Sequence, residues 1–108
     1  MIPKGMGGMG NLMKQAQKVQ QQVMKMQEEL ANREVSAQAG GGMVEAFVNG
    51  RGEILRLRLE AEVVDPSDPE MLGDLIVAAV GEAQRRAQQM MQEEMGKVTG
   101  GLNIPGMF

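Results

Sequence analysis

The fold is decided by residues 43–63, which read MVEAFVNGRGEILRLRLEAEV. The first six residues alternate in a way that predicts a short strand with Val44, Ala46 and Val48 on one face. Asn49-Gly50 follows, a pair typical of the type I′ turn between antiparallel strands, whose two central residues need positive φ. The strand after the turn predicts one apolar face and one charged face. The apolar face would carry Leu55, Leu57, Leu59, Ala61 and Val63, and the charged face Arg56, Arg58, Glu60 and Glu62.

A further strand precedes this hairpin. Residues 34–39 alternate weakly, and Gly40-Gly41-Gly42 separates them from the strand that begins near Met43. The three strands therefore predict an antiparallel meander with one face against the core and one face in water.

A helix is predicted before the sheet, with Asn11 as its N-cap and its end near Arg33. Its apolar residues recur at spacings of 4, 3, 4, 3 and 4, which is a heptad seam. The seam is too short for an independent coiled coil, so we expect it to pack against the second helix or a symmetry mate. Its members are Leu12, Ala16, Val19, Val23, Met26 and Leu30.

A second helix is predicted after the sheet. Asp68 is placed as its N-cap and Pro69 at its first position, and the apolar periodicity continues to about Gly96. Such a helix is about 42 Å long, whereas a ten-residue strand spans about 33 Å, so its C-terminal part should extend beyond the sheet. Its apolar stripe comprises Leu72, Leu75, Ile76, Ala79, Ala83, Ala87 and Met90.

These elements predict an α+β fold, an α-β-β-β-α subunit whose three-stranded antiparallel sheet is flanked by two long helices. We assign residues 11–99 to this single domain and expect flexible tails at residues 1–10 and 100–108, which are rich in Gly. The chain lacks cysteine, which excludes disulfides and thiolate metal sites. No apolar run is long enough for a membrane span or a signal peptide, so we expect a cytoplasmic protein.

Charge is segregated along the chain. Residues 1–27 carry four lysines and no acid, a charge of +4, whereas the remainder has seven basic and fourteen acidic side chains, a charge of −7. Lys14, Lys18 and Lys25 fall within about 40° of one another on the first helix, away from its apolar seam. This pattern has two interpretations, a local polyanion-binding surface or a solvent face that happens to be lysine.

Duplex DNA is the polyanion that suits this pattern. The three lysines span about 16 Å, comparable to several phosphate spacings, and lysine contacts phosphates as a point charge without reading sequence. The chain has two phenylalanines and no Trp or Tyr, so it lacks a platform for stacking unpaired bases.

Two pairs of arginines are weaker candidates. Arg85 and Arg86 on the second helix are DNA-contact candidates, although intrahelical contacts with Glu82 and Gln89 are the alternative. Arg56 and Arg58 alternate with acids on the third strand, which favours cross-strand ion pairs instead.

Catalysis is poorly supported by the residues available. The chain has no His, Cys or Tyr, and its hydroxyls are limited to Ser36, Ser67 and Thr99. Ser67 lies between two aspartates in a turn, where capping explains it. We therefore expect no enzymatic activity, no catalytic or metal-binding residues and no cofactor.

Five segments together resemble the YbaB/EbfC family of bacterial nucleoid-associated proteins, in the right order over nearly the whole chain. The first, at the opening of the first helix, is the most specific. They are GNLMKQAQ (10–17), VNG (48–50), DP (65–66), EML (70–72) and AQRR (83–86).

The resemblance implies an α-β-β-β-α subunit that pairs into a tweezer-shaped homodimer with projecting helices. It also implies a cytoplasmic, nucleoid-associated protein that binds DNA, influences gene expression, has no enzymatic activity and needs no cofactor. Lys14 is the best-matched basic position. This chain departs from the more basic family members, since its third strand mixes Arg with Glu and its dimer would carry about −6.

We thus expect a homodimer that binds duplex DNA with weak or shape-based sequence preference. Its phosphate contacts would come mainly from Lys14, Lys18 and Lys25, with Arg85 and Arg86 contributing less. The alternative is a dimeric adapter that uses its exposed helices to bind a protein of the replication or recombination machinery.

Overall fold

The computed structural model describes the backbone of residues 4–102 and the side-chain surroundings of residues 9–97. Two helices enclose three strands in chain order, so the predicted α-β-β-β-α architecture is confirmed. The elements are α1 (Lys4–Ala31), β1 (Val35–Ala39), β2 (Val44–Val48), β3 (Ile54–Leu59), a short 3₁₀ helix (Ala61–Val63) and α2 (Pro69–Leu102).

The sheet is an antiparallel meander in the order β1-β2-β3. Ala46, at the centre of β2, lies opposite Ala37 of β1 and Leu57 of β3. Directly opposed residues share one face of a sheet, so these three side chains point to the same side. Val44 and Val48 flank Ala46 on this face and are fully buried, as the alternation predicted.

Alanines dominate the contact between α2 and the sheet. Ala79, Ala83 and Ala87 are fully buried where α2 packs on β1 and β2. Small side chains on both sides let the helix backbone approach the sheet closely. Four fully buried side chains in residues 9–97 are larger than alanine: Leu30, Val44, Val48 and Val63.

The cap of α2 is the predicted one. The backbone N–H of Met71 donates to the Asp68 carboxylate at 3.1 Å, which satisfies one of the free donors of the first turn. The helix continues to Leu102, six residues past the predicted end at Gly96, because no proline interrupts it and glycine weakens a helix without ending it.

The third strand is shorter than predicted. It ends at Leu59 rather than Val63, because Leu59 pairs with Val44, which is the first residue of β2. The Glu60 N–H donates to the Met43 carbonyl at 2.8 Å, and the chain then forms the 3₁₀ helix. This turn still places Val63 in the core, where the alternation had assigned it.

The hairpin lies where Asn49-Gly50 predicted it, but the prediction of a type I′ turn was wrong. The loop closes between Asn49 and Glu53, and Gly52 is the residue with positive φ, at 81°. The Asn49 side-chain oxygen accepts the backbone N–H groups of Arg51 and Glu53, each at 3.0 Å. These side-chain bonds favour a three-residue loop over the two-residue turn.

The first helix begins at Lys4 rather than at the predicted cap Asn11. No proline lies between these two residues, and the four glycines there lower helix propensity without stopping propagation. The predicted flexibility of residues 1–10 concerns motion and stays a prediction. Residues 103–108 of the predicted C-terminal tail lie outside the described range.

The two helices meet beyond the sheet, at the C-terminal halves of both. Val19, Val23 and Met26 of the predicted seam are partly buried and Leu30 is buried, whereas Leu12 remains exposed. The seam thus packs against α2 over its second half only. The subunit is elongated as a result, 83 Å long by 24 Å by 16 Å.

Gly50 joins the hairpin to the end of α1. Its N–H donates to the Ala31 carbonyl at 3.1 Å, and a Cβ at this position would collide with the Leu30 carbonyl oxygen. Glycine is therefore required here by close backbone approach, which holds the end of α1 against the β2–β3 loop.

We expect Gly50→Ala to lower the free energy of unfolding by about 1–3 kcal/mol, because the added methyl forces α1 away from the loop. Chemical denaturation measures this loss. Gly96→Ala is the control, since no atom lies within 4 Å of its Cβ position and alanine favours the helix. Equal stability of Gly50→Ala and wild type would show that this contact does not position α1.

Candidate nucleic-acid interface

The basic side chains of residues 9–97 divide into two groups. Every arginine, and Lys97, has a carboxylate within 4 Å, whereas the three α1 lysines form no ion pair in this range. The pairs are Arg33–Glu94, Arg51–Glu53, Arg56–Glu34, Arg58–Glu45, Arg58–Glu60, Arg85–Glu82, Arg86–Glu82 and Lys97–Glu94.

The lysine face of α1 consists of Lys14, Lys18 and Lys25. All three are exposed, and the helical structure found here places them on one side of α1 over about 16 Å. The first acids along the helix are Glu28 and Glu29, near its end. A row of unneutralised positive charges is thus available to a ligand approaching this side of α1.

Residues 9–18 of α1 are exposed on all sides of the helix. They are exposed because this part of α1 extends past the region where the helix contacts α2. Its exposed side chains include apolar ones, Met9, Leu12 and Met13, away from the lysine face. A long ligand can therefore lie against Lys14 and Lys18 without steric obstruction from the described part of the subunit.

Arg85 and Arg86 are not brought together with the lysine face. Arg85 donates to one Glu82 oxygen from Nε at 3.1 Å and from Nη2 at 2.8 Å. Arg86 lies 3.5 Å from the other Glu82 oxygen and donates to the Ser36 carbonyl of β1 at 3.1 Å. Hydrogen bonding and charge from Arg85 hold the pKa of Glu82 below its usual value. Both arginines thus have the intramolecular partner that the sequence offered as the alternative to DNA.

The arginines on the solvent face of the sheet are neutralised by carboxylates. Arg58 donates to Glu45 at 3.1 Å, to Glu60 at 2.7 Å and to the Gly42 carbonyl at 2.9 Å. The hydrogen bond that Arg58 donates to the Glu45 carboxylate raises the pKa of Arg58. Arg56 pairs with Glu34 and lies 4.0 Å from the centroid of the Phe47 ring.

The prediction of a cross-strand pair is confirmed for Arg58, which pairs with Glu45 of β2, whereas the partner of Arg56 lies outside the strands. Neither of these two acidic partners was identified from the sequence. Glu45 lies directly opposite Arg58 on β2, a relation that follows from the hairpin register. Glu34 comes from the segment before β1, and no local pattern connects it with Arg56.

Membrane insertion and metal binding find no support in the described residues. No helix within residues 4–102 is both long and apolar enough to cross a bilayer. Within the same part of the chain, no group of three or more carboxylate, imidazole or thiol side chains could hold a metal ion.

The chain matches one protein family along most of its length. The sequence profile of the YbaB/EbfC DNA-binding family aligns with residues 6–102. A nucleoid-associated protein of Alkaliphilus metalliredigens is 54% identical over 107 residues, covering 96% of this chain and 94% of its own length. One from Pelotomaculum thermopropionicum is 52% identical, covering 94% and 97%.

A solved structure shares the fold. The crystal structure of an uncharacterized protein from Helicobacter pylori superposes with a TM-score of 0.59, covering 74% of this chain and 93% of that one. Its sequence identity is 18%, so the likeness concerns the fold alone.

The Glu82 ion pair can be tested by titration. We expect the Glu82 carboxyl, followed by carbon-13 NMR, to titrate below its usual pKa of 4.5. Arg85→Gln should raise this pKa, since Arg85 is the main cause of the shift, whereas Arg51→Gln should leave it unchanged. Because the folded pKa is lowered, the stabilisation is present above the unfolded pKa and is lost as pH falls through the folded one. An identical titration in wild type and Arg85→Gln would contradict the pairing.

Proposed function

We propose that this chain, which belongs to the YbaB/EbfC DNA-binding family, is a nucleoid-associated protein that binds duplex DNA as a homodimer. It contacts phosphates mainly through Lys14, Lys18 and Lys25 and has weak or shape-based sequence preference. Its presence on DNA modulates gene expression, and its location is the nucleoid within the cytoplasm. The curated relatives carry the name nucleoid-associated protein, which supports this location.

The proposal rests mainly on a difference between the described basic side chains, some of which are paired with carboxylates while others are not. Each described arginine is paired with a carboxylate, whereas the lysine face of α1 is not. A phosphate ligand would have to displace a carboxylate from an arginine, but it displaces only mobile counterions from the lysines. The free energy of phosphate binding therefore favours α1.

The acidic remainder of the subunit restricts how DNA approaches. Residues 28–108 carry −7, and this charge repels phosphates over about 10 Å at moderate salt. Lys14 and Lys18 lie on the part of α1 that extends away from this acidic body, and Lys25 is exposed on the half that packs against α2. DNA is thus attracted to one face of one helix rather than to the whole surface.

The residues on this face favour backbone contacts over base readout. Lysine presents a point charge without the planar fork with which arginine recognises guanine. The described aromatic side chain, Phe47, is covered by Arg56 on the sheet and offers no stacking platform. We therefore propose duplex DNA, recognised through phosphates and shape, as the ligand.

Two copies make this binding effective. Three lysines release few counterions, whereas six lysines on two α1 helices of a dimer raise both affinity and salt dependence. The homodimer is thus part of the proposed function, and the two helices form the paired arms of a tweezer.

A second function is supported by the apolar side chains of α1. Leu12, Met13 and Met24 are more than half exposed and lie away from the lysine face. Flexible methionines suit a protein-binding surface. An adapter for a replication or recombination protein would use this side of the helix, and its DNA binding would be weak and independent of the lysines.

The lysine face can be tested by salt-dependent binding. We expect the triple variant Lys14→Gln/Lys18→Gln/Lys25→Gln to lose most of the salt dependence measured by fluorescence anisotropy with labelled duplex DNA. Six lysines per dimer give a log–log slope of about −5, and their removal brings it close to zero. Circular dichroism and molar mass establish that the variant stays folded and dimeric.

The matched control is Arg33→Gln/Arg51→Gln/Lys97→Gln, which removes the same charge from exposed residues that already have carboxylate partners. It should keep a slope near the wild-type value. Equal losses in both triples would show that net charge, and not the lysine face, governs binding. Weak wild-type binding that neither triple alters would favour the adapter function.

The minor role proposed for Arg85 and Arg86 can be tested by releasing them. Glu82→Gln removes their shared partner, so we expect tighter DNA binding and a slope steeper by about 1–2. Glu93→Gln changes the charge equally on the same helix, where the carboxylate accepts a hydrogen bond from Gln89. If the two variants behave alike in the same anisotropy assay, these arginines do not contact DNA.

A further inference from the structure

We propose that Asn49 is a site of spontaneous covalent modification, the deamidation of its side chain, and that the docking of α1 controls this reaction. While α1 is docked, Asn49 and Gly50 are restrained and do not react. When the end of α1 moves away, the pair reacts, and the product no longer accommodates the helix. This modification does not depend on DNA binding, so it can be tested whether or not the function proposed above holds.

An asparagine followed by a glycine is the pair that deamidates most readily. The backbone nitrogen of Gly50 loses its proton to water and bonds to the side-chain carbonyl carbon of Asn49, and ammonia leaves as the amide C–N bond breaks. Water then opens the resulting succinimide ring at either carbonyl, which gives aspartate or isoaspartate at position 49. Glycine favours the attack because it has no side chain to obstruct its nitrogen and its backbone turns easily.

The end of α1 restrains the attacking nitrogen. The Gly50 N–H donates to the Ala31 carbonyl at 3.1 Å, so the nitrogen keeps its proton and points toward the helix. Gly50 is also buried, and the Leu30 carbonyl oxygen occupies the place that a Cβ would take. The Gly50 backbone therefore has no room to turn toward the Asn49 side chain until α1 moves.

The loop restrains the group that is attacked. The Asn49 side-chain oxygen accepts the backbone N–H groups of Arg51 and Glu53, each at 3.0 Å. Its amide nitrogen donates to the Glu53 carboxylate at 3.1 Å. Rotation of the amide toward the Gly50 nitrogen would break these three bonds. Both reacting groups are thus held, one by α1 and the other by the loop itself.

The contact between α1 and the loop itself requires the reactive pair. At position 50 any larger residue would collide with the Leu30 carbonyl, and at position 49 the asparagine side chain closes the loop. The helix contacts the rest of the subunit over its second half only. Such an element opens at a lower free energy than the core of the protein. Local opening of α1, rather than global unfolding, therefore sets the rate of the reaction.

The product of the reaction disrupts the same contact. Isoaspartate lengthens the backbone between position 49 and Gly50 by one methylene, which displaces the Gly50 N–H from the Ala31 carbonyl. Both products also replace the amide by a carboxylate, and this new charge faces the Glu53 carboxylate that had accepted the amide hydrogen bond. Because hydrolysis does not restore the amide, each modified chain keeps α1 released.

Mass spectrometry of tryptic digests measures the reaction, since the peptide of residues 34–51 contains Asn49 and gains mass on deamidation. The full chain is incubated at neutral pH beside a synthetic peptide of residues 44–56, which has the same Asn-Gly pair but no α1. Asn49 of the full chain should react at least about 10-fold more slowly than the peptide, because only the opened fraction reacts. Equal rates would overturn the proposal.

Leu30→Ala tests the control by α1, because Leu30 is a buried anchor of the helix end and its truncation leaves the reactive pair unchanged. It should raise the rate of deamidation about 10-fold or more, toward that of the peptide. Exchange of the Gly50 amide hydrogen, followed by NMR, should rise in parallel. If Leu30→Ala fails to fold, Ala31→Gly decides, since it weakens only the last turn of α1.

Val63→Ala is the matched control, since it truncates another fully buried side chain, in the 3₁₀ helix at the other end of β3 from the loop. It should react at a rate near that of wild type under conditions where circular dichroism shows both variants folded. Equal acceleration by Leu30→Ala and Val63→Ala would show that global unfolding governs the reaction, and would overturn control by α1.

The effect of the product on α1 can be measured on the aged protein. Ion exchange separates the modified chains, which carry one more negative charge, from unmodified chains of the same incubation. The Gly50 amide hydrogen of the modified chains should exchange at least about 10-fold faster, because its bond to Ala31 is lost. The same exchange rate in both fractions would refute the release of α1.

Discussion

The close contact between the alanines of α2 and the small side chains of β1 and β2 determines the rest of the subunit. Ala79, Ala83 and Ala87 bring the helix so near the sheet that it covers two strands rather than three. With 34 residues, α2 is about 51 Å long, far longer than strands of five or six residues. The helix therefore extends past the sheet and provides the surface on which α1 packs.

Three consequences follow from this one contact. The part of α2 that extends past the sheet supports the C-terminal half of α1, and residues 9–18 of α1 are left exposed to solvent. The limited width of the helix leaves the apolar side chains of β3 partly exposed, between 37% and 52%. One end of the molecule thus presents charge and the sheet edge presents hydrocarbon, which are the two kinds of surface that the proposed DNA binding and dimerisation require.

Arginines and lysines occupy different parts of the subunit and have different roles there. Arginines occur on the compact part of the chain, where their planar groups can make several hydrogen bonds, as Arg58 does with Glu45, Glu60 and the Gly42 carbonyl. Apart from Lys97 of α2, the lysines occur on α1, where long flexible side chains remain solvated and exchange counterions easily. An acidic protein can in this way bind a polyanion at one place while its remaining surface repels it.

Local pattern was enough to predict the order of elements, the core face of β2, the Asp68 cap and the stripe of α2, because each depends on neighbours a few residues apart. It was equally enough to identify the lysine face, which requires only that residues 14–25 be helical. Tertiary structure decided the rest. The end of β3 depends on where β2 begins. The pairing of Arg56 with Glu34 and of Arg58 with Glu45 depends on how the strands are placed beside one another. Glycine is needed at position 50 because the Leu30 carbonyl, remote in sequence, lies against it. Alternation marked Leu57 and Leu59 as core residues, but their exposure depends on how far α2 reaches across the sheet, and a helix's reach is set by packing between elements remote in sequence.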